Sequence, residues 1–191
     1  MRKTEVKQKI VDAAWQLFYE KGYDATTVDE IISLSGTSKG SFYYYFESKD
    51  TLLSTLAEVL DAEYSRLEKV MDPKMHALDK LYFLNRQVHQ FIEHKVNMDL
   101  LASMYSTQLI SKGDRSLMDQ NRVYYRLITD IVEEGQKKGE IKSEKSVRAI
   151  VKYYSMCERA LISDWCLSRG EYSLEEYSDE YMPIMMESFR A

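Results

Sequence analysis

Apolar residues recur three and four positions apart along nearly the whole chain, the signature of amphipathic helices. Val6, Ile10, Ala13, Ala14, Leu17 and Phe18 form the first stripe and predict a helix over 4–21. Lys21-Gly22 ends it, with Gly22 suited to a left-handed cap. Thr27-Val-Asp-Glu30 reads as a capping box, in which the Thr oxygen takes an orphan N–H and the Glu reaches back. It opens a short helix carrying Val28, Ile31, Ile32 and Leu34. Ser35-Gly36 breaks that helix, and Thr37 or Ser38 caps the next one, about two turns from Lys39 to Tyr45, with Phe42 and Phe46 inward. Ser48 caps a long helix predicted over 49–71, with Leu52, Leu53, Leu56, Val59, Leu60 and Leu67 facing a core. Asp72-Pro73 restarts the chain, Pro being tolerated in a first turn. Five further helices follow, at 74–95, 97–111, 115–138, 144–169 and 174–189. Breaks fall at Gly113, Gly139 and Gly170, and Ser173-Leu-Glu-Glu176 is a second capping box. The pattern is all-α with about nine helices: an N-terminal three-helix unit containing a helix-turn-helix, joined by a long helix to a C-terminal helical bundle.

Composition supports long helices, since 191 residues include only 7 Gly and 2 Pro. Two cysteines make no disulfide framework. Cys157 and Cys166 are nine apart in one predicted helix, on opposite faces, so buried thiols and a cytoplasmic setting are expected. No apolar run approaches the ~20 residues of a membrane span, and the charged start Met1-Arg-Lys-Thr-Glu5 is unlike a signal peptide. His76, His89 and His94 are badly spaced for a metal, so no metal or cofactor is expected. There is no nucleophile elbow and no HExxH. Gly36-Thr-Ser-Lys-Gly-Ser41 lacks the order of a phosphate loop. No catalytic residue is assigned. Net charge is −5, which by itself speaks against a generic nucleic-acid binder. The imbalance is local, however. Residues 171–191 contain Glu171, Glu175, Glu176, Asp179, Glu180 and Glu187 against Arg190, and the rest of the chain is balanced.

The chemistry is concentrated between Thr27 and Leu53. In a helix-turn-helix the second helix enters the DNA major groove and the first crosses the backbone. Here the second helix offers Lys39 for guanine or phosphate, Gly40 for close approach, Ser41 to donate or accept, and the hydroxyls of Tyr43, Tyr44 and Tyr45. Lys49, opening the next helix, suits a phosphate.

These segments resemble the tetracycline-repressor (TetR) family of bacterial transcription regulators. The likeness is carried by Ile10-Val-Asp-Ala-Ala14 with Leu17-Phe18, by Lys21-Gly-Tyr-Asp-Ala-Thr-Thr-Val28, and by Gly36-Thr-Ser-Lys-Gly-Ser-Phe-Tyr-Tyr-Tyr-Phe46 followed by Ser48-Lys49. Weaker echoes are Glu133-Glu-Gly-Gln-Lys-Lys-Gly-Glu-Ile141 and Trp165 with Gly170, Tyr172 and Leu174. The resemblance implies a DNA-binding domain over 1–48 and an effector-binding and dimerisation domain over 49–191. It implies phosphate contacts from Thr26, Thr27, Tyr43, Tyr45 and Lys49, and base contacts from Lys39, Gly40 and Ser41. Tyr44 would lie near the base or backbone edge, and the capping Ser38 is counted with the interface. Tyr45 departs from the family, which often has His there. A phenol donates to phosphate but carries no positive charge.

The resemblance also implies a homodimer on double-stranded DNA, reading a pseudo-palindromic operator and released by a small-molecule effector. Independently, the 144–169 helix is apolar around much of its surface and demands burial on more than one side. Tyr154, Leu161 and Trp165, with Tyr177, Tyr181, Ile184 and Met185 of the last helix, are the candidate interface. Candidate effector contacts are Asn85, His89, Tyr105, Gln108, Tyr124 and Glu158, polar groups among apolar neighbours. An ordinary core with satisfied polar groups would show the same pattern, as would Glu158 paired with an Arg across a dimer. Control by a protein partner, no effector at all, or activation instead of repression are the alternatives.

Overall fold

The computed structural model describes residues 3–110 and 115–191. The expected break at Gly113 and the basic Arg2 lie outside the described residues. Among these residues the chain forms ten α-helices: α1 (Lys3–Lys21), α2 (Val28–Ser35), α3 (Lys39–Tyr45), α4 (Lys49–Leu53), α5 (Thr55–Val70), α6 (Ala77–Lys95), α7 (Met98–Ile110), α8 (Val123–Lys138), α9 (Val147–Leu167) and α10 (Leu174–Met186). Short 3₁₀ turns cover Ser116–Met118 and Glu187–Phe189. The one extended pairing among them is an isolated bridge between Ile141 and Arg190. No helix is long and apolar enough to cross a membrane.

The chain forms two compact units. One comprises residues 1–59 and 97–118, the other 60–96 and 119–191. The functional boundary read between residues 48 and 49 therefore does not coincide with the compact units.

In the first unit the α1 stripe buries Ile10, Ala13, Ala14 and Phe18 against Ile31, Phe42, Phe46, Leu52 and Leu53. On α2 only Ile31 is fully buried, and Leu34 is 47% exposed. Gly22 and Gly36 take left-handed conformations, φ 88° and 62°, that other residues reach only with strain.

The helix anticipated over 49–71 is interrupted at Ser54. Ser54 Oγ donates to Thr51 O at 2.6 Å and Thr55 Oγ1 to Leu52 O at 2.6 Å. Hydroxyls that bond carbonyls of the preceding turn compete with the helical ladder, and α5 starts afresh at Thr55. Val59 is consequently exposed rather than in the core. The Trp15 indole N–H donates to Thr55 Oγ1 at 2.9 Å, fixing the new helix start to α1.

The second unit also departs from the simple pattern at helix starts. Asp72-Pro73 belongs to a turn before α6, closed by Met75 N–H to Asp72 O at 3.2 Å. His76 Nδ1 then accepts from Leu78 N, and Glu140 accepts from Ala77 N at 2.8 Å. α8 begins at Val123 instead of 115, because Asp119 bonds Asn121 N and holds a turn. Arg122 spans to Asp61 at 2.8 Å there. At the start of α10, Ser173 accepts from Glu176 N, while Glu93 of α6 bonds both Ser173 Oγ and Glu175 N at 3.0 Å. A residue from another helix thus supplies the acidic cap anticipated from Glu176.

Gly135 lies inside α8, where Gly costs about 1 kcal/mol relative to Ala. A Cβ there would sit 2.6 Å from Ala77 Cβ and 2.8 Å from Ile141 Cδ1. Close approach of α8 to α6 and to the chain at Ile141 requires the missing side chain. Gly135→Ala is expected to destabilise the protein by about 1–3 kcal/mol, read as a lower urea midpoint at unchanged m. An unchanged or raised midpoint would contradict the packing.

Candidate functional site

The helix-turn-helix is built from α2 and α3. Thr27 caps α2 with both halves of the capping box formed, and the Lys21 ammonium, with Thr27, holds the Glu30 carboxyl down at about 2. Ser38 caps α3, accepting from Ser41 N at 3.1 Å, and the two serine hydroxyls lie 2.9 Å apart. Phe42 is wholly buried, which turns the opposite side of α3 outward. Ser38, Lys39 and Gly40 are exposed, Ser41 and Tyr45 are half-buried, and Tyr43 and Tyr44 are 50% and 66% exposed. The Tyr44 and Tyr45 rings meet edge to face at 4.8 Å. Lys39 pairs with Asp29 at 3.6 Å, but both are well exposed, and such a pair yields readily to a phosphate or base.

Two anticipated contacts are placed otherwise. Thr26 is buried, its hydroxyl donating to Gly22 O at 2.8 Å, so its side chain faces the turn and not solvent. Lys49 donates to Tyr23 O at 2.8 Å and Thr26 O at 2.9 Å, with its ammonium 4.1 Å from the Tyr23 ring centroid.

Gly40 has the reverse character of Gly135. A Cβ on Gly40 would meet only Ser38 Oγ, at 3.9 Å. Nothing inside the protein requires glycine here, in a helix where it costs stability.

The second unit gathers four of the six candidate effector residues. Asn85 and His89 on α6, Tyr124 on α8 and Glu158 on α9 are all buried. Glu158 Oε1 lies 3.2 Å from Asn85 Nδ2, 3.1 Å from Tyr154 Oη and 3.4 Å from Tyr64 Oη, and Oε2 accepts from Tyr124. Asn85 Nδ2 is 3.4 Å from His89 Nε2, and His89 Nδ1 bonds Ser178 Oγ on α10. Tyr105 and Gln108 are not part of this cluster: both stand on α7 in the first unit, where Gln108 Oε1 accepts from Leu117 N at 3.3 Å. Tyr64, Tyr154 and Ser178 are members the sequence reading did not assign here. The four-residue spacing of Tyr154 and Glu158 on one helix was a usable signal. Tyr64 and Ser178 gave none.

Proton counting and burial together bear on the state of this cluster. Tyr154 has one hydroxyl proton and two acceptors in reach, Leu81 O at 2.9 Å and Glu158 Oε1. If it donates to Leu81 O, Oε1 must carry a proton to bond Tyr154 in turn. Burial likewise raises the Glu158 carboxyl above its ordinary 4.5. Burial also lowers His89 from 6.5 to about 3, so it is neutral at pH 7 and supplies no counter-charge. Among the described residues no ion pair to Glu158 forms within the chain, and its partners there are Asn85 and three phenols.

The candidate dimer residues divide into two sets. Tyr154, Leu161 and Trp165 are buried in the core of their own unit, with Tyr154 bonded to Leu81 O and the Trp165 indole N–H to Tyr172 O at 3.0 Å. They are corrected from interface to core. Tyr177 and Tyr181 are half-buried and stack at 4.3 Å, Met185 is half-buried, and Ile184 is 70% exposed. The exposed face of α9 is a different stripe: Tyr153, Met156, Ala160 and Leu167, the last 82% exposed.

A buried three-helix core that turns one short helix outward, with open glycine, lysine and tyrosines on it, defines a helix-turn-helix DNA-binding regulator. The family model of the bacterial regulatory proteins of the tetR family matches residues 10–56, and that of the YsiA-like protein C-terminal region matches 56–188. The chain belongs to the tetR family, whose members are DNA-binding transcriptional regulators and not enzymes. It is 22% identical over 182 residues to the HTH-type transcriptional repressor KstR2 of Mycolicibacterium smegmatis, covering 94% of this chain and 88% of that one. It is 23% identical over 179 residues to the fatty acid metabolism regulator protein of Bacillus subtilis, covering 93% and 92%. The fold is similar to that of Thermus thermophilus FadR in complex with lauroyl-CoA, with TM-score 0.73, 22% identity and coverage of 100% and 96%. Bacillus subtilis FadR in complex with stearoyl-CoA gives TM-score 0.71 and 23% identity, covering 94% and 97%.

Gly40→Ala is expected to raise unfolding stability by up to about 1 kcal/mol while weakening binding to operator DNA. Thermal melts paired with fluorescence anisotropy check it, and equal or tighter DNA binding would remove the close-approach role.

Glu158 gives a pH prediction. The fold keeps this carboxyl protonated to higher pH than the unfolded chain does, so its contribution is whole below 4.5 and is lost as pH rises through the folded value. The neutral His89 has the reverse linkage, its contribution whole above 6.5 and lost as pH falls toward about 3. Glu158→Gln removes only the first. Its Tm deficit relative to wild type should therefore shrink between pH 4.5 and 8. A deficit that grows with pH would mean Glu158 is held ionised.

Proposed function

We propose that this chain is a dimeric repressor that leaves a pseudo-palindromic operator when a small molecule occupies its second unit. Residues 1–48 would bind DNA, with Thr27, Ser38, Lys39, Gly40, Ser41, Tyr43, Tyr44 and Tyr45 facing it, and 49–191 would carry effector binding and dimerisation, in the cytoplasm. The observation that carries the DNA half is Gly40, a glycine the protein's own packing does not need. The effector half rests on the Glu158 cluster, since a core built for stability alone gains little from a buried carboxyl. Asn85, His89, Tyr124 and Glu158 would present polar groups to the effector. Long-chain acyl-CoA thioesters are the class to try first, because the similar FadR structures hold stearoyl-CoA and lauroyl-CoA. Met156, Leu167 and Ile184 are the exposed apolar residues that a partner subunit would cover. Their burial would set two recognition helices about 34–36 Å apart, one DNA turn. α5 continues from the first unit into the second and bears Tyr64 of the cluster, which makes it the connection through which occupancy could reach DNA. Near-complete release requires an effector preference of roughly 10⁴-fold for the DNA-incompetent state.

The satisfied hydrogen bonds around Glu158 favour a second reading, in which the cluster is a structural network and no small effector acts. One experiment separates the two. Bound duplexes are selected from a random pool, and the recovered site is titrated with protein and acyl-CoA of graded length. A two-fold motif is expected, with binding weakened at least tenfold by the preferred chain length. No two-fold motif would overturn the dimeric operator reading, and unchanged affinity across the series would overturn acyl-CoA release.

A further inference from the structure

The first two residues of α4 hold the turn that starts α2. The Lys49 ammonium donates to Tyr23 O at 2.8 Å and Thr26 O at 2.9 Å, and lies over the Tyr23 ring at 4.1 Å. The neighbouring Asp50 accepts from the Tyr23 hydroxyl. Thr26 O immediately precedes Thr27, the cap of α2. Two of the three ammonium donors are spent on these carbonyls, and the ring of Tyr23 holds the charge beside them. Moving the ammonium out toward a phosphate would stretch the two bonds to the carbonyls that fix the α1–α2 turn.

We propose that Lys49 is a positioning residue of the DNA interface: with Asp50 it clamps Tyr23 and Thr26, sets the N-terminus of α2 where Thr27 meets the backbone of DNA, and does not itself neutralise a phosphate. The role is distinct from the phosphate contact that the position of Lys49 suggests. It goes beyond the proposed function, since it holds for any operator and with or without an effector.

The two roles differ in salt dependence. Each phosphate neutralised by the protein adds about 0.9 to the slope of log affinity against log salt. A clamp adds nothing to that slope, because it touches no phosphate. Lys49→Gln and Asp50→Ala are each compared with wild type on a selected duplex by anisotropy, across a series of salt concentrations. The clamp predicts that Lys49→Gln weakens binding about tenfold at every salt, with the slope unchanged. It also predicts weaker binding for Asp50→Ala, although removing an acid from the DNA-binding unit should tighten binding on electrostatic grounds alone. A Lys49→Gln slope lower by about 0.9 would overturn the proposal, and so would an Asp50→Ala variant that binds as tightly as wild type or tighter. Circular dichroism verifies folding of each variant. If Lys49→Gln does not fold, the Asp50→Ala comparison decides the outcome. Should no duplex be recovered, non-specific binding to mixed-sequence DNA gives the same slopes.

Discussion

A helix of five to eight residues leaves half or more of its backbone donors and acceptors without a partner inside the helix, and three such helices, α2, α3 and α4, carry the helix-turn-helix and the start of the next helix. None could persist alone in water. Their survival depends on satisfying the helix ends from outside, and the chain does this with Thr27, Ser38 and Ser48 at three successive starts. Lys49 extends the same device across elements by taking up two carbonyls of the turn before α2. With the ends satisfied, Phe18, Phe42, Phe46 and Leu52 need only a small core to lock the three axes together. Presentation of Lys39, Gly40 and the tyrosines follows from that locking.

Glycine marks two opposite constraints. Gly135 is glycine because α8 comes so close to Ala77 and Ile141 that no side chain fits. Gly40 is glycine although its surroundings are open. The first is a packing requirement that the folded chain explains by itself. The second has no internal explanation, and the proposed close approach of α3 to DNA would supply one.

The second unit places a different demand on its core. Glu158, Asn85, His89 and three phenols are buried together, and every named polar atom finds a partner. Such a network is stable only if protons are distributed consistently, which favours a neutral Glu158 and a neutral His89. Its geometry specifies one arrangement of α5, α6, α8 and α9, since a shift of any of them would leave a buried polar group unpaired. That sensitivity is what the proposed response to an effector would require.

Much of this was legible in the sequence, because its cause is local. Helix period, the Thr27 capping box, the left-handed glycines and the inward Phe42 and Phe46 all depend on neighbours within a few residues, and they stand where the pattern put them. The outward set on α3 follows from the same period. Tertiary structure alone decided the rest. It determined that Ser54 interrupts a helix whose apolar stripe continues, that Glu93 rather than Glu176 completes the cap of α10, and that Thr26 and Lys49 face the α1–α2 turn. It separated Tyr105 and Gln108 from Asn85 and Glu158, and drew in Tyr64 and Ser178 from distant positions. It also assigned the two faces of α9, where Tyr154, Leu161 and Trp165 went to the core and Met156 and Leu167 stayed outside. A helix apolar on every side states that it must be covered twice. Which side meets its own chain depends on the shape of the surrounding helices, and no local pattern records that.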